Sequence, residues 1–158
     1  MSRRGARILS GAALVLTLAA ACGGGPPTPS EVDTRNDTCA HCRMTVSDPN
    51  LAAQIAAPGE EPRFFDDIGC LKEYLAGGAT SPRGAVAFVA DHRTGEWVRA
   101  DRALYTRVPE LATPMDSHLM AHADLASRDR DPGAQGGASA PASEVFGRPL
   151  PGESGSGS

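Results

Sequence analysis

The sequence predicts a small α+β domain, and three observations predict it. Short, strand-length apolar stretches are separated by clusters of Gly, Pro, Asn and Asp. One stretch, with Ile68, Cys70, Leu71, Tyr74 and Leu75, reads as a helix. After Gly78 the strand-rich pattern loosely recurs. Two strand-rich units with short helices give a compact α+β architecture.

The elements follow in order. Met44-Thr-Val-Ser alternates and Leu51 to Ala56 is apolar, so both read as short strands around a turn at Asp48-Pro49-Asn50. Pro58 to Pro62 is a second turn, and Arg63-Phe64-Phe65 returns as a strand. Asp66 or Asp67 caps the helix, and Gly77-Gly78 ends it. Ala85 to Ala90 is a strand, Arg93-Thr94-Gly95 a hairpin turn, and Glu96 to Arg99 the return strand. Ala103-Leu104-Tyr105 and an extended Pro109 to Met115 come next. Leu119 to Ala126 passes from strand into a helix that runs towards Arg130, closed by Asp131-Pro132-Gly133 and Gly136-Gly137.

Both ends read as something other than core. Residues 1–21 begin with Arg3, Arg4 and Arg7 and continue in an apolar run, Ile8 to Ala21, too short for an ordinary membrane-spanning helix. The run ends in Leu18-Ala19-Ala20-Ala21-Cys22 before three glycines, which reads as a lipoprotein signal with Cys22 as the lipidated residue. Several acyl chains on one cysteine suffice for stable anchoring. Residues 22–36 are rich in Gly, Pro, Thr and Ser and read as a flexible tether. The folded domain is expected over residues 37–147, and residues 148–158 as a disordered tail with nothing to bury.

Composition narrows the function. Fifteen basic against nineteen acidic residues give −4, and losing Arg3, Arg4 and Arg7 with the signal takes the chain to −7. An acidic chain without a basic run is not a nucleic-acid binder. Apart from Cys22, three cysteines remain. An odd count in an exported protein cannot form a complete disulfide framework and points to a free or metal-bound thiol.

Cys39-Ala-His-Cys42-Arg-Met44 puts two thiols and a thioether close together. Soft sulfur donors select soft ions such as Cu(I), and a thioether is a poor ligand for zinc, calcium or magnesium. On an extended segment Cys42 and Met44 share one face. Alone, Met44 reads as a core methionine; beside Cys42 it reads as a ligand. Met115, after Pro114 in a loop, is either a second thioether ligand or a gap-filler. Cys39 has three readings: a second thiolate, a partner of Cys70 in holding the fold, or a disulfide partner of Cys42. Cys70, among apolar helix neighbours, reads as a buried inert thiol. His41 either coordinates metal or covers the turn. His118 and His122 would form a metal pair on a helix, but their surroundings fit a loop equally well. No Ser/His/Asp or nucleotide-loop constellation is present, so no enzyme activity is expected.

Cys39-x-His-Cys42-x-Met44, Phe64-Phe-Asp-Asp-Ile-Gly-Cys70, Val89-Ala-Asp91 with Thr94-Gly-Glu-Trp97, and Pro114-Met115-Asp-Ser-His-Leu-Met120 together resemble the NosL family. These are accessory lipoproteins of nitrous oxide reductase. The resemblance implies a fold of two small ββα-type units and a membrane-anchored Cu(I)-binding protein that delivers copper for metallocentre assembly. It implies nitrous oxide reductase or its copper-maturation transporter as partner. Gly23, next to Cys22, is not the Asp that often retains a lipoprotein in the inner membrane, so the expected location is the cell envelope, on the outer membrane facing the periplasm in a Gram-negative cell. The family's copper-binding places fall here on Cys42, Met44 and Met115. Where the family often has an aromatic residue after the Met loop, this chain has Leu119-Met120-Ala121-His122, so Met120, His118 and His122 are candidates to widen the site.

Two other functions compete. A structural zinc module would use Cys39, Cys42, Cys70 and one histidine, but leaves Met44 and Met115 unexplained. A thiol-disulfide oxidoreductase would use Cys39 and Cys42, but that chemistry favours a CxxC at a helix N-terminus, and here strand residues follow.

The anchor is directly testable. Cys22→Ala should leave the chain without acyl groups. Intact-mass analysis of the membrane fraction checks this, and wild-type protein found there without acyl chains would contradict the lipoprotein reading.

Overall fold

The computed structural model describes residues 25–153. The expected signal peptide and Cys22 lie outside the described residues, as do residues 154–158. Two antiparallel sheets and a few short helices form the α+β fold. The first sheet holds β1 (Ala53–Ala56), β2 (Arg63–Phe65), β3 (Val86–Ala90) and β4 (Trp97–Arg99), in the order β2-β1-β3-β4. The second holds β5 (Leu104–Arg107), β6 (Leu119–His122) and β7 (Ala138–Ala140), in the order β6-β5-β7. The helices are α1 (Ile68–Ala76), α2 (Leu125–Asp129) and α3 (Ala142–Phe146), with a single 3-10 turn at Pro132–Ala134. Among the described residues no helix is long and apolar enough to cross a membrane.

The strand pattern decides what each face covers. Ala53 and Ile55 of β1 turn to the main core, beside Phe65 of β2 and Ala87 and Val89 of β3. That core continues through Ile68, Leu71 and Leu75 of α1 to Tyr105, Leu119, Val145 and Phe146. The opposite face carries Ala56, Val86 and Phe88 under Trp97. Tyr105 buries its ring edge-on against Phe146 and donates its hydroxyl to the Ala100 carbonyl at 2.7 Å, so its polar tip is satisfied inside the core.

Two expected boundaries move. Gln54 is fully buried in the middle of β1 and needs partners for its amide. The N–H and carbonyl of Ser30 supply them at 2.9 and 2.8 Å, and Val32 packs beside Val46, Ala52 and Phe64. Residues from Ser30 onward are therefore attached to the domain, not part of a free tether. At the other end, the expectation of a tail with nothing to bury does not hold for residues 148–153. Leu150 joins the main core, Arg148 donates to the Leu75 carbonyl at the end of α1, and Ala87 N–H donates to Pro151 O at 3.0 Å. The stretch expected as a strand at Met44 to Ser47 makes only an isolated bridge, Thr38 to Thr45. β7 and α3 have too few residues and too little periodicity to be read from sequence.

The two ββα units are β1-β2-α1 and β5-β6-α2. Each helix starts at an extended Asp: Asp67 accepts the Cys70 N–H and Asp124 the Ser127 N–H, both at 2.7 Å. The likeness extends to the turn packed on each unit. In Cys39–Met44, Cys39 N–H donates to Met44 O, Arg43 N–H to Cys39 O, and Ala40 N–H to Phe64 O of β2. In Asp91–Glu96, Asp91 N–H donates to Glu96 O, Gly95 N–H to Asp91 O, and His92 N–H to Ala121 O of β6. Arg43 and Gly95 hold the same left-handed place, at φ 69° and 74°. A glycine is easy there, and an arginine is strained.

Asp91 is the joint between the sheets. It follows β3, bridges to Ala121 of β6, and is buried. Its carboxylate accepts N–H groups from Ala123 (2.8 Å), Arg93 (3.0 Å) and Thr94 (3.1 Å) and the Ser127 hydroxyl (2.9 Å). Burial pushes this carboxyl's pKa up, but the four donors outweigh burial and hold it below the usual value. The sign of the pH dependence follows. A group whose folded pKa is depressed stabilises fully above the unfolded value of about 4 and loses that contribution as pH falls through the folded one. Asp91→Asn should cost about 2–4 kcal/mol near neutral pH, a fall in Tm of roughly 10 °C. The gap from wild type should narrow only in acid below about pH 4. Thermal melts across that range check both, and an unchanged Tm at neutral pH would contradict the joint.

Candidate metal centre

Cys39, Cys42 and Cys70 converge although they come from a turn and a helix. Their sulfur atoms all lie within 4.8 Å of one another, and all three thiols are free. Bonds of about 2.3 Å to one ion place thiolate sulfurs roughly 3.8–4.0 Å apart, so the cluster is near the spacing a metal imposes. Cys39 and Cys70 are fully buried, and Cys42 stands partly open at the rim.

The turn sets the chemistry of Cys39. Burial raises its thiol pKa, but hydrogen bonds from the N–H groups of Cys42, Asp66 and His41 outweigh burial and leave it lowered. These are the counterparts of the Thr94, Ala123 and Arg93 donors around Asp91. Cys39 thus occupies the place of a buried carboxylate, and Cys70 occupies that of Ser127. A thiolate at Cys39 is the ionised form this cradle favours. Burial pushes the thiols of Cys42 and Cys70 up, and the neighbouring Cys39 adds to both shifts. A cation bound among the three would displace the protons that burial favours on Cys42 and Cys70.

The candidate thioethers are exposed. Among the described residues the exposed large hydrophobic side chains are Met44, Met115 and Leu125, so two of the three are the methionines read as ligands. Met44 closes the turn through its carbonyl, which accepts the Cys39 N–H at 2.8 Å. The turn is not the extended strand expected from the spacing: Arg43 at positive φ reverses the chain between Cys42 and Met44.

Met115 comes from the loop before β6. Asp67 ties that loop to the start of α1. One of its oxygens takes the Cys70 N–H, and the other takes the Met115 N–H at 3.1 Å and the Ser117 hydroxyl at 3.0 Å. The same carboxylate therefore caps the helix that carries Cys70 and seats the loop that carries Met115. Gly69 permits this approach, since a Cβ there would lie 2.8 Å from Ser117 Cβ.

The remaining sequence candidates separate from the cluster. His41 is exposed on the turn. His118 sits at φ 55° and donates from Nδ1 to the Leu111 carbonyl at 2.8 Å, which pins it to its own loop. Met120 and His122 lie buried on β6, on the face opposite Leu119 and Ala121 of the main core. The helical His118–His122 pair does not form, because the two residues belong to a loop and a strand. Cys70, read as inert, belongs to the thiol cluster. Asp66 does not cap α1: it is buried and accepts the N–H and hydroxyl of Ser47 at 2.7 and 3.0 Å. The role of Cys70 had no signal in spacing, because α1 reaches the turn only through tertiary packing.

A small α+β domain with a three-thiol cluster, two of its members buried, and two exposed methionines has the makings of a soft-metal-binding protein. A protein-family model, NosL, matches residues 30–146, and the chain belongs to the NosL family. Comparison with curated proteins and with solved structures finds no significant match. Family membership and the Cys39/Cys42/Cys70 cluster both fit a copper-binding role.

Proposed function

We propose that this chain is a lipid-anchored Cu(I) carrier of the cell envelope. It delivers copper for metallocentre assembly to nitrous oxide reductase or to its copper-maturation transporter. The observation that supports this most is the pairing of three clustered thiols with the exposed methionines Met44 and Met115. Cu(I) accepts two or three soft ligands, so a partial set drawn from Cys42, Met44 and Met115, with Cys39 behind, is sufficient. The ion is cargo, and it enters and leaves by ligand exchange. Exposed thioethers suit first contact and hand-over, because they need no deprotonation and cannot form disulfides. The buried thiolate supplies the anionic charge that holds the ion between those events.

Structural zinc is less well supported. It needs a fourth nitrogen or thiolate ligand. His118 is pinned to its own loop, and His92 and His122 belong to a separate group with Asp131, which leaves only exposed His41. Oxidoreductase chemistry is also less well supported, because Cys39 and Cys42 lie in a turn followed by an isolated bridge and not at a helix N-terminus. No catalytic constellation accompanies the cluster, so the reading is a binding protein and not an enzyme.

Met44→Leu and Met115→Leu preserve volume and apolarity and should leave the fold intact. Each should weaken Cu(I) binding by at least about tenfold, or ~1.4 kcal/mol. Cys42→Ser should cost more, since it removes a thiolate ligand. Titration against a chromophoric competitor under reducing, anaerobic conditions, with circular dichroism for the fold, checks this. Wild-type Cu(I) affinity in both Met variants, with unfolding on chelation of zinc, would support the zinc module instead.

A further inference from the structure

His92, His122 and Asp131 form a second cluster, remote in sequence from the cysteines and from three different elements. His92 follows β3, His122 ends β6, and Asp131 precedes the 3-10 turn after α2. One donor atom from each lies within 4.8 Å of the others. Asp131 Oδ2 receives His92 Nδ1 at 2.6 Å and His122 Nε2 at 2.9 Å, with the two rings inclined at 72°. The other Asp131 oxygen accepts the Gly133 N–H at 2.8 Å, which fixes the carboxylate.

The fold itself does not require this trio. The joint between the sheets is made by Asp91 and Ser127, whose counterparts in the first unit are Cys39 and Cys70. The positions of His92 and His122 are held there by Ala40 and Phe65, and that unit folds on the same backbone hydrogen bonds without them. His122 is fully buried, yet its Nδ1 has no hydrogen-bond partner, so the hydrogen-bonded trio leaves one polar atom unsatisfied. Gly133 packs directly against the trio: a Cβ there would meet Asp131 Oδ1 at 3.1 Å, His92 Cε1 at 3.3 Å and Met120 Cε at 3.6 Å.

We propose that His92, His122 and Asp131 form a binding site for a divalent first-row cation of the Zn²⁺ type, separate from the Cu(I) site. Two imidazoles and one carboxylate are a borderline nitrogen and oxygen donor set, which suits Zn²⁺ and not Cu(I). Bonds of about 2.1 Å place such donors roughly 3.3 Å apart, so the trio opens by less than about 1 Å to admit an ion. His92 is the one partly exposed member and marks the entry side. The ion ties the end of β3 to β6 and to the exit of α2, and so reinforces the joint at Asp91.

The test uses the full chain, loaded with one equivalent of Cu(I) and freed of excess, then titrated with Zn²⁺ against a chromophoric competitor. Wild type should bind one further Zn²⁺. His92→Gln, at the partly exposed position, and the isosteric Asp131→Asn should each weaken it at least tenfold while the Cu(I) capacity is unchanged. Zn²⁺ should raise the Tm of wild type and leave that of His92→Gln unmoved. Co²⁺ in place of Zn²⁺ should give visible ligand-field bands without thiolate-to-cobalt charge transfer. This last readout stands whether or not the cysteines carry copper, and the same titration of metal-free Cys42→Ser should still show it. No second ion in wild type, wild-type affinity in both variants, or a thiolate charge-transfer band would each overturn the proposal.

Discussion

The structure depends on one repeated arrangement: a buried acidic side chain held by backbone N–H groups where a tight turn meets the start of a ββα helix. Asp91 fills it in one half and Cys39 in the other. Buried N–H groups must find acceptors, and a turn that directs several of them at one atom selects a negative charge. Each of these side chains thereby locks its turn to the strand and helix of its unit. The main core, which runs from α1 through both sheets to α3, forms around these two fixed points.

Exchanging oxygen for sulfur in that arrangement turns a joint into a metal-binding place. Asp91 is saturated by its donors and by Ser127, and it has nothing to offer an ion. Cys39, with Cys70 opposite and Cys42 at the rim, presents a soft, polarisable sulfur in the same place. The cradle that stabilises the turn also favours the thiolate, so stability and metal affinity draw on the same hydrogen bonds. Asp67 extends the coupling outward, because the carboxylate that caps α1 also seats the Met115 loop. The strained Arg43 at the bend then leaves Met44 exposed next to the cluster.

Much of this was legible in the sequence. The α+β class, most strand positions and the Asp67 cap follow from alternation and turn chemistry, and the Cys39–Cys42 pair pointed to the thiol cluster. What was hidden is instructive. Cys42 and Met44 read as two residues on a strand, because sequence gives no sign that Arg43 adopts a left-handed conformation. Cys70 read as an inert core thiol, because its approach to the turn is set by packing between elements. The equivalence of Cys39 with Asp91 lies in backbone hydrogen bonds that accept either side chain, so no residue identity repeats to announce it. Leu150 looked solvent-bound in a polar tail, and the space it fills exists only once α1 and α3 have packed. His92 and Asp131 carried no motif, since their meeting depends on how the second sheet is joined to the first.

The central claim is that Cu(I) is held by sulfur from this turn, this helix and the adjacent methionines. X-ray absorption at the copper edge of the Cu(I)-loaded protein tests it most directly. The account predicts a first shell of two or three sulfur atoms and no imidazole scattering, with a longer thioether contribution that disappears in a Met44→Leu, Met115→Leu double variant. A first shell dominated by nitrogen, or one unchanged in that variant, would contradict it.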